Sequence, residues 1–409
     1  MYLVTFRIVG HPAIPNPPWL KAGKGLNVIK AAGVEQARSL LRMLQTVNPP
    51  YDFEKTDPFR DLPPFTTGAP HRRKILPSKK TAAIAIFAAS SQLIKELVAI
   101  DPVFFETDRI EFGRRRDQSR WINFVELSNS TRWSEIESTV RSLLSRIDPN
   151  AESVVELLQN TIANLFSTDR IKGKTAVDLR EQLRALRPFL SENDQAQLEQ
   201  CLYAVDRDEH FRQAKEVFDV ALPLFLFVTP SMLGYPPQET EDFSVEETSA
   251  ALVEFLINRQ KDGGQGGTAS SKQGLHAVNR DLPTDKSELN RHIGEEQPSH
   301  ILEGSLPHLA VPVAETPPVR RIGTLLSSLA SLHKKLHGYE PIFLIDISGM
   351  ELESVEQADL LRLLLHYSSR WQLFVIPDNP FLALCEGILS DEEEGHQPVT
   401  VIDLSGVVV

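Results

Sequence analysis

The sequence predicts an α/β protein with a mixed sheet and an inserted helical arm. Three observations carry that expectation. Residues 320–409 alternate helix, strand, helix, strand, an acidic loop and a last strand, the pattern of a sheet with right-handed crossovers. Residues 1–127 are dominated by runs rich in β-branched and aromatic side chains. Between these regions, residues 133–220 switch to apolar residues at three-to-four spacing with charges between them, as in amphipathic helices.

Taken in order, Leu3–Val9 reads as a first strand and Gly25–Lys30 as a second, followed by a helix through Val34–Thr46. Prolines at 49, 50, 58, 63, 64, 70 and 77 break the next segment into loops. Lys79–Ala89 and Arg120–Leu127 read as further strands. The helices expected next are Trp133–Ile147, Ala151–Phe166, Lys174–Leu186 and Glu192–Leu222, separated by Pro149, Gly173 and Pro188. No heptad pattern is sustained among them, so a compact arm is expected rather than a long coiled coil. Leu222–Val228 reads as a buried strand. Asn258–Pro318, with Gly263-Gly-Gln-Gly-Gly267 and little periodicity, reads as a flexible linker that buries too little apolar surface to offset its ordering entropy. The expected division is an N-terminal lobe (1–127), a helical insertion (128–222), a strand and helix returning to the head (223–257), the linker (258–318) and a C-terminal lobe (319–409).

Composition narrows the function. The charge sum is 43 − 55 = −12, so the chain of 409 residues has no overall cationic field to attract nucleic acid. Two cysteines, Cys201 and Cys385, can build neither a disulfide framework nor a zinc cluster and are expected to be reduced core thiols. The longest apolar run, Val220–Val228, is too short for a bilayer. The N-terminal residues read as a strand rather than a signal peptide, so the cytoplasm is the expected location, with no membrane partner.

The most informative stretch is Ile342–Phe381. An apolar strand ends in Asp346-Ile-Ser-Gly349-Met-Glu-Leu-Glu-Ser-Val-Glu-Gln357, and a leucine-rich helix and second apolar strand lead to Pro377-Asp378-Asn-Pro380-Phe381. This resembles the second half of the nucleotide site of OLD-type (overcoming lysogenization defect) ATPases, relatives of the SMC and ABC ATPases. Their strand ends in D-E-P-G-x-x-L-H-P-x-x-Q, and their second strand leads to T-H-S-P-F. The resemblance implies a P-loop-NTPase-like (ABC/OLD-type) head, with ATP and Mg²⁺ as cofactors. It places the family's catalytic glutamate at Ile347 and its switch histidine at Asp378. Asp346 falls where the family's carboxylate holds Mg²⁺ through water; an aspartate capping the turn after the strand is the equal alternative.

The first half of such a site should be a phosphate loop, which needs glycines, a lysine and a magnesium-binding hydroxyl. At the matching place stand Ala31-Ala-Gly33-Val-Glu-Gln36-Ala37-Arg38. Ala31 and Gln36 replace the two glycines, Ala37 the lysine and Arg38 the hydroxyl. Arg38 reads as a solvated helix-surface residue, with phosphate contact as the alternative. Framework positions persist around the loop: Leu40, Leu41 and Leu44 on the helix, then Asn48-Pro49 and Asp61-Leu-Pro63. The signature segment that the family uses across a dimer has one candidate, Arg321-Ile-Gly323-Thr324, which lacks the serine. Gly173-Lys174-Thr175 imitates the end of a phosphate loop but reads as a turn between helices.

Turnover is therefore not expected. The resemblance implies a scaffold or regulatory subunit that meets a protein partner or a second copy through its head. The competing reading is an ATP-binding or weakly hydrolysing protein with Arg38 on phosphate and Asp346 on Mg²⁺. A third reading is nucleic-acid contact, as in repair or phage defence, through Arg72, Arg73 and Lys74 and through Arg114, Arg115 and Arg116. Asp108, Glu111 and Asp117 sit among the latter group, so a salt-bridged strand or turn is its bland reading. His333 and His337, at i, i+4 spacing without a third ligand, read as a surface pair.

Overall fold

The computed structural model describes residues 1–14, 18–50, 58, 59, 62, 79–147, 152–230, 232, 317–391 and 399–404. Along them run β1 (Tyr2–Ile8), β2 (Leu20–Lys21), β3 (Leu26–Lys30), α1 (Val34–Gln45), β4 (Thr81–Ala88), α2 (Ser91–Ile100), β5 (Arg109–Arg115), β6 (Arg120–Phe124), α3 (Trp133–Leu144), α4 (Glu152–Ala163), α5 (Lys174–Leu186) and α6 (Glu192–Ala221). There follow β7 (Phe225–Val228), α7 (Pro317–His337), β8 (Ile342–Asp346), α8 (Ser354–Ser368), β9 (Gln372–Ile376), α9 (Asn379–Asp391) and β10 (Val399–Asp403). The linker expected at 258–318 lies outside the described residues but for its last two, as does the helix expected to follow β7.

The chain forms two compact units. One comprises residues 2–87, 112–121 and 222–409. Its centre is a parallel sheet in the order β10-β3-β9-β8-β7. The pairing places Val28 beside Val401 and Val375, Leu344 beside Phe374, and Phe227 beside Leu344. A second sheet follows the order β2-β1-β4-β5-β6, with β1 and β2 antiparallel. The fold is thus mixed α/β, with parallel and antiparallel pairing.

Alternation along the parallel strands sends successive side chains to opposite faces. Val28, Leu373, Val375, Phe343 and Ile345 form one core with Ile322, Leu326, Leu360 and Phe381 from α7, α8 and α9. The opposite face meets α1 and the second sheet: Phe374 stands edge-on to Phe6 at 6.0 Å and Phe225 to Phe87 at 6.3 Å. Both faces being covered explains why β7, β8 and β9 are nearly continuous apolar runs. Gln372 is the buried exception: its Oε1 accepts from Leu3 N at 2.7 Å, and its Nε2 donates to the carbonyls of Leu3 and Gly23, each at 2.7 Å. Asn27, also buried, accepts from Gly23 N at 2.6 Å and donates to Leu373 O at 3.1 Å. Each buried amide is satisfied, as a low-dielectric interior requires.

The other unit comprises residues 88–111 and 122–221, with Met1. Trp133, Val140, Leu143, Leu158, Leu179, Leu183, Leu198 and Val205 make its helical core. Phe104, Phe124 and Phe211 form a second cluster, with centroids 4.8–5.5 Å apart. Gly173, at φ 55°, is the cap residue before α5, and its N–H donates to Asp208 Oδ2 at 2.8 Å. That is a turn between helices.

Asp101 caps the short 3₁₀ turn Pro102–Glu106, accepting from Val103 N at 2.9 Å, Tyr203 Oη at 2.6 Å and His210 Nδ1 at 2.7 Å. Burial favours its neutral form, but the Tyr203 hydroxyl, the Val103 N–H and His210 outweigh it and hold the carboxyl below its usual range. A depressed carboxyl stabilises the fold above the unfolded value of about 4, and that contribution is lost as pH falls through the folded value. Urea unfolding between neutral pH and about pH 3 should therefore show a shallower acid limb in Asp101→Ala than in the parent chain.

Both cysteines are buried free thiols. Burial pushes Cys201 up to about 11, and burial with the Glu386 charge pushes Cys385 up to about 12. Thiolate is the reactive form, so iodoacetamide at about pH 8 should label neither in the native protein and both in denaturant, read by intact mass.

Candidate functional site

In an open parallel sheet, the crevice that holds ligands lies outside the carboxyl ends of the strands, where the connections diverge. Here the chain passes from β3 toward β7 on one side, and from β9 over β3 to β10 on the other. The divergence falls between β3 and β9. The Ala31–Arg38 segment follows β3, Asp346 ends β8 and Asp378 follows β9. Residues far apart in sequence are thereby gathered on three adjacent strand ends.

The segment after β3 is drawn tight. Only Ala31–Gly33 separate the strand from α1, so Gln36, Ala37 and Arg38 are helical residues. Gln36 N–H donates to Gly33 O at 3.1 Å and Ala37 N–H to the same carbonyl at 3.4 Å. Ala32 N–H is taken by Gln36 Oε1 at 3.2 Å, while Gln36 Nε2 reaches Ala13 O at 3.2 Å. The N–H groups of Ala32, Gln36 and Ala37 are thus turned onto the protein. Gly33 is extended, at φ −158°, and a Cβ built on it would meet nothing within 4 Å, so no close approach requires the glycine.

Arg38 is not the solvated surface residue that its helical position suggested. Its side chain is 8% exposed, and Nε donates to Asp346 Oδ2 at 2.6 Å. Nη1 reaches Glu35 Oε1 at 2.9 Å and Nη2 reaches Ser348 Oγ at 3.3 Å. The other oxygen of Asp346 accepts from Ser348 N at 3.0 Å and from the Ser348 hydroxyl. Burial works against the guanidinium charge, but the hydrogen bond and charge of Asp346, supported by Glu35, prevail and raise the Arg38 pKa above its ordinary value. Asp346 is 1% exposed with both oxygens engaged. These residues do not fit a magnesium ion at Asp346: the carboxylate that would hold the cation's water holds a guanidinium.

Ile347 is buried in the sheet–helix core, its N–H on Ile376 O at 3.1 Å. Asp378 caps α9, accepting from Phe381 N at 2.8 Å and from Gln357 Nε2 at 3.3 Å. Gly323 lies inside α7, where a Cβ would stand 3.3 Å from Tyr367 Oη, and its carbonyl accepts from that hydroxyl at 3.3 Å. Gly323 of the candidate signature segment is therefore a helix–helix contact, while Arg321 is exposed.

The basic candidates divide. Arg114 is buried: Nε donates to Thr46 O at 3.1 Å, Nη2 to Val47 O at 2.9 Å and Nη1 to Gln118 O at 2.7 Å. It caps the carboxyl end of α1 and is withdrawn from any nucleic-acid surface. Arg115 is half-buried with Nη1 on Ser119 Oγ at 3.3 Å, and burial lowers the pKa of Arg116. Lys79 pairs with Asp117 at 2.6 Å, which holds that carboxyl at about 2. Arg72, Arg73 and Lys74 lie outside the described residues. His333 is not on the surface: it is buried, with Nδ1 on Tyr339 O at 2.6 Å and its ring 4.9 Å from that of His337. Among the described residues no group of three or more His, Cys, Asp and Glu side chains is placed to hold a metal ion, and no helix is long and apolar enough to cross a membrane.

No family model matches the chain, and no curated protein matches it. Among solved structures it is similar to the Smc head domain of Pyrococcus furiosus bound to the C-terminal domain of ScpA, at 12% identity over 93% of this chain and 91% of that one, with a TM-score of 0.30. It is similar to the Smc head domain of Pyrococcus yayanosii with a coiled coil and joint (13% identity, 93% of each chain, TM-score 0.33). It is also similar to the recombination mediator protein RecF with ATP (12% identity, 92% of each chain, TM-score 0.29).

Proposed function

We propose that this chain is a P-loop-ATPase-like head of the OLD/SMC kind that neither binds nor hydrolyses nucleotide and serves as a scaffold or regulatory subunit. The observation that carries the reading is the Arg38–Asp346 ion pair, 2.6 Å long and buried at the strand ends where the magnesium nucleotide would sit. Hydrolysis needs an oriented water and compensation of charge on the phosphoryl group. Ile347 can accept no proton, Asp378 brings negative charge, and Arg38 is already neutralised. A DNA-related setting, in repair or phage defence, is supported by the sequence resemblance and by no contact in the described residues.

Calorimetric titration with Mg-ATP and Mg-ADP, beside a sensitive phosphate-release assay, tests the reading. No heat of binding at millimolar nucleotide and no phosphate release are the expected results. Saturable binding, or turnover abolished by Asp346→Ala, would overturn it and restore the nucleotide-binding alternative.

A further inference from the structure

We propose that the antiparallel sheet carries a binding site for a planar aromatic ring bearing one carboxylate, with Arg115 holding the carboxylate and Trp121 meeting the ring. An open cleft of about 630 Å³ lies there, and among the described residues Lys79, Thr81, Arg115 and Trp121 line it. That volume is in the range of small-molecule sites. β5 runs between β4 and β6, and its alternation decides which side chains reach the cleft. Phe112 and Arg114 are buried on one face, so Gly113 and Arg115 belong to the other. Arg114 reaches the carboxyl end of α1, whereas the Ala31–Arg38 segment lies at its amino end. That helix of 12 residues is about 18 Å long. The cleft therefore stands apart from the strand-end site, and its chemistry is independent of the function proposed for that site.

The aromatic wall is held in place from two sides. A Cβ on Gly113 would stand 2.0 Å from Trp121 Cε2 and 2.2 Å from Nε1, so only glycine lets the indole lie against β5. Trp121 Nε1 donates to Thr81 Oγ1 at 3.1 Å, which carries the ring across β5 from β6 to β4. With its one donor satisfied inside the protein, the half-buried ring offers the cleft apolar surface, suited to a second planar ring.

Charge selects the other part of the ligand. Arg115 Nη1 donates to Ser119 Oγ at 3.3 Å, and among the described residues the guanidinium has no carboxylate partner. The Ser119 hydroxyl donates to Asp117 Oδ1 at 2.6 Å, and Asp117 Oδ2 pairs with Lys79 at 2.6 Å. Two cations and one carboxylate leave a single net positive charge, which one carboxylate neutralises; a phosphate dianion or a polyphosphate brings surplus charge against Asp117. The planar fork of Arg115 matches a carboxylate bidentately. Lys80, Arg116 and Arg120, the neighbouring cations, are not among the described residues that line the cleft. The net charge of −12 on the whole chain further opposes a long polyanion.

The same chemistry is offered by a free aromatic acid and by the carboxyl terminus of a polypeptide ending in an aromatic residue, and the test separates the two. The probes are naphthoate, its amide, naphthyl phosphate, and a short peptide ending in tryptophan with its carboxyl free or amidated. Each is titrated into the isotope-labelled full chain while the Trp121 indole N–H resonance is followed, assigned by its loss in Trp121→Phe. Naphthoate should shift that resonance to saturation, with affinity about tenfold lower for the amide and about tenfold lower in Arg115→Gln. Arg115→Lys, which keeps the charge but not the fork, should also bind more weakly. Unchanged thermal unfolding shows that the variants fold. A free-carboxyl peptide that binds at least as tightly as naphthoate, and loses binding on amidation, assigns the site to a polypeptide terminus. Binding of naphthoate without the peptide assigns it to a small molecule, and either result upholds the site. An unmoved resonance at millimolar naphthoate, equal binding of acid and amide, tighter binding of naphthyl phosphate, or indifference to both Arg115 variants overturns the proposal.

Discussion

Asp346→Ala should destabilise the protein by about 3–5 kcal/mol, measured as a lowered midpoint of urea unfolding at constant slope. The size follows from what remains behind. Arg38 would stay buried with its guanidinium charge and without the buried carboxylate that it now meets at 2.6 Å. Ser348 N–H and hydroxyl would lose their acceptor as well. Arg38→Ala should cost a similar amount, because it strands the carboxylate. The double variant Arg38→Met with Asp346→Leu should recover most of the loss, since two apolar side chains of similar volume need neither solvation nor each other's charge. Recovery in the double variant separates a structural ion pair from two residues that act independently. In none of these variants should nucleotide binding appear, because the Gln36 and Ala37 amides remain in the helix.

Arg114→Ala should cost about 3 kcal/mol by the same measurement, and Arg114→Lys should rescue little of it. The carbonyls of Thr46 and Val47 follow the last turn of α1 and lack helical partners. The planar guanidinium meets both and also Gln118 O in the turn between β5 and β6. A lysine ammonium is a single point on a flexible stem and cannot reach three carbonyls in those directions. Loss of the side chain leaves acceptors unsatisfied at a buried helix end, where the partial negative charge of the helix also favours a cation. A nucleic-acid role would instead leave stability unchanged and lower retention on DNA.

These two arginines show where sequence reading succeeds and stops. Ile342–Asp346 and Gln372–Ile376 are legible as strands because burial on both faces leaves four successive apolar residues in each, and Leu26–Lys30 because Val28 and Ile29 follow a leucine in a short run. Helix α5 was legible to its end residues. Arg38 was misread because its partner is 308 positions away, and no local pattern reveals a salt bridge of that separation. Arg114 carries a signal of burial in its own strand. In Arg109-Ile-Glu-Phe-Gly-Arg-Arg115 the charges hide a period of two in which Ile110, Phe112 and Arg114 share the buried face. His333 likewise continues the stripe of Ile322, Leu326, Leu329 and Ala330 along α7, which placed it inside. Helix α2 is absent from the strand-dominated reading of residues 1–127, although Ser90 caps it and Leu93 and Leu97 mark its buried face. Strand order is not legible, since β7, β8 and β9 share the same apolar character and nothing local says which is the neighbour of β3.

The neighbours of β3 impose a constraint on how this molecule comes into being. Leu26–Lys30 bonds to Leu373–Val375 on one side and Val399–Asp403 on the other, and Leu3 is held by the amide of Gln372. During synthesis the early strand therefore waits, with apolar side chains bare on both flanks, until residues 373–375 and 399–403 have left the ribosome. Pairings of such long sequence separation form slowly and leave sticky intermediates. A fragment ending before residue 372 would give β3 neither partner, so dissecting this protein into separately expressed halves should yield aggregates, whereas supplying the missing strands on a second polypeptide should rescue solubility.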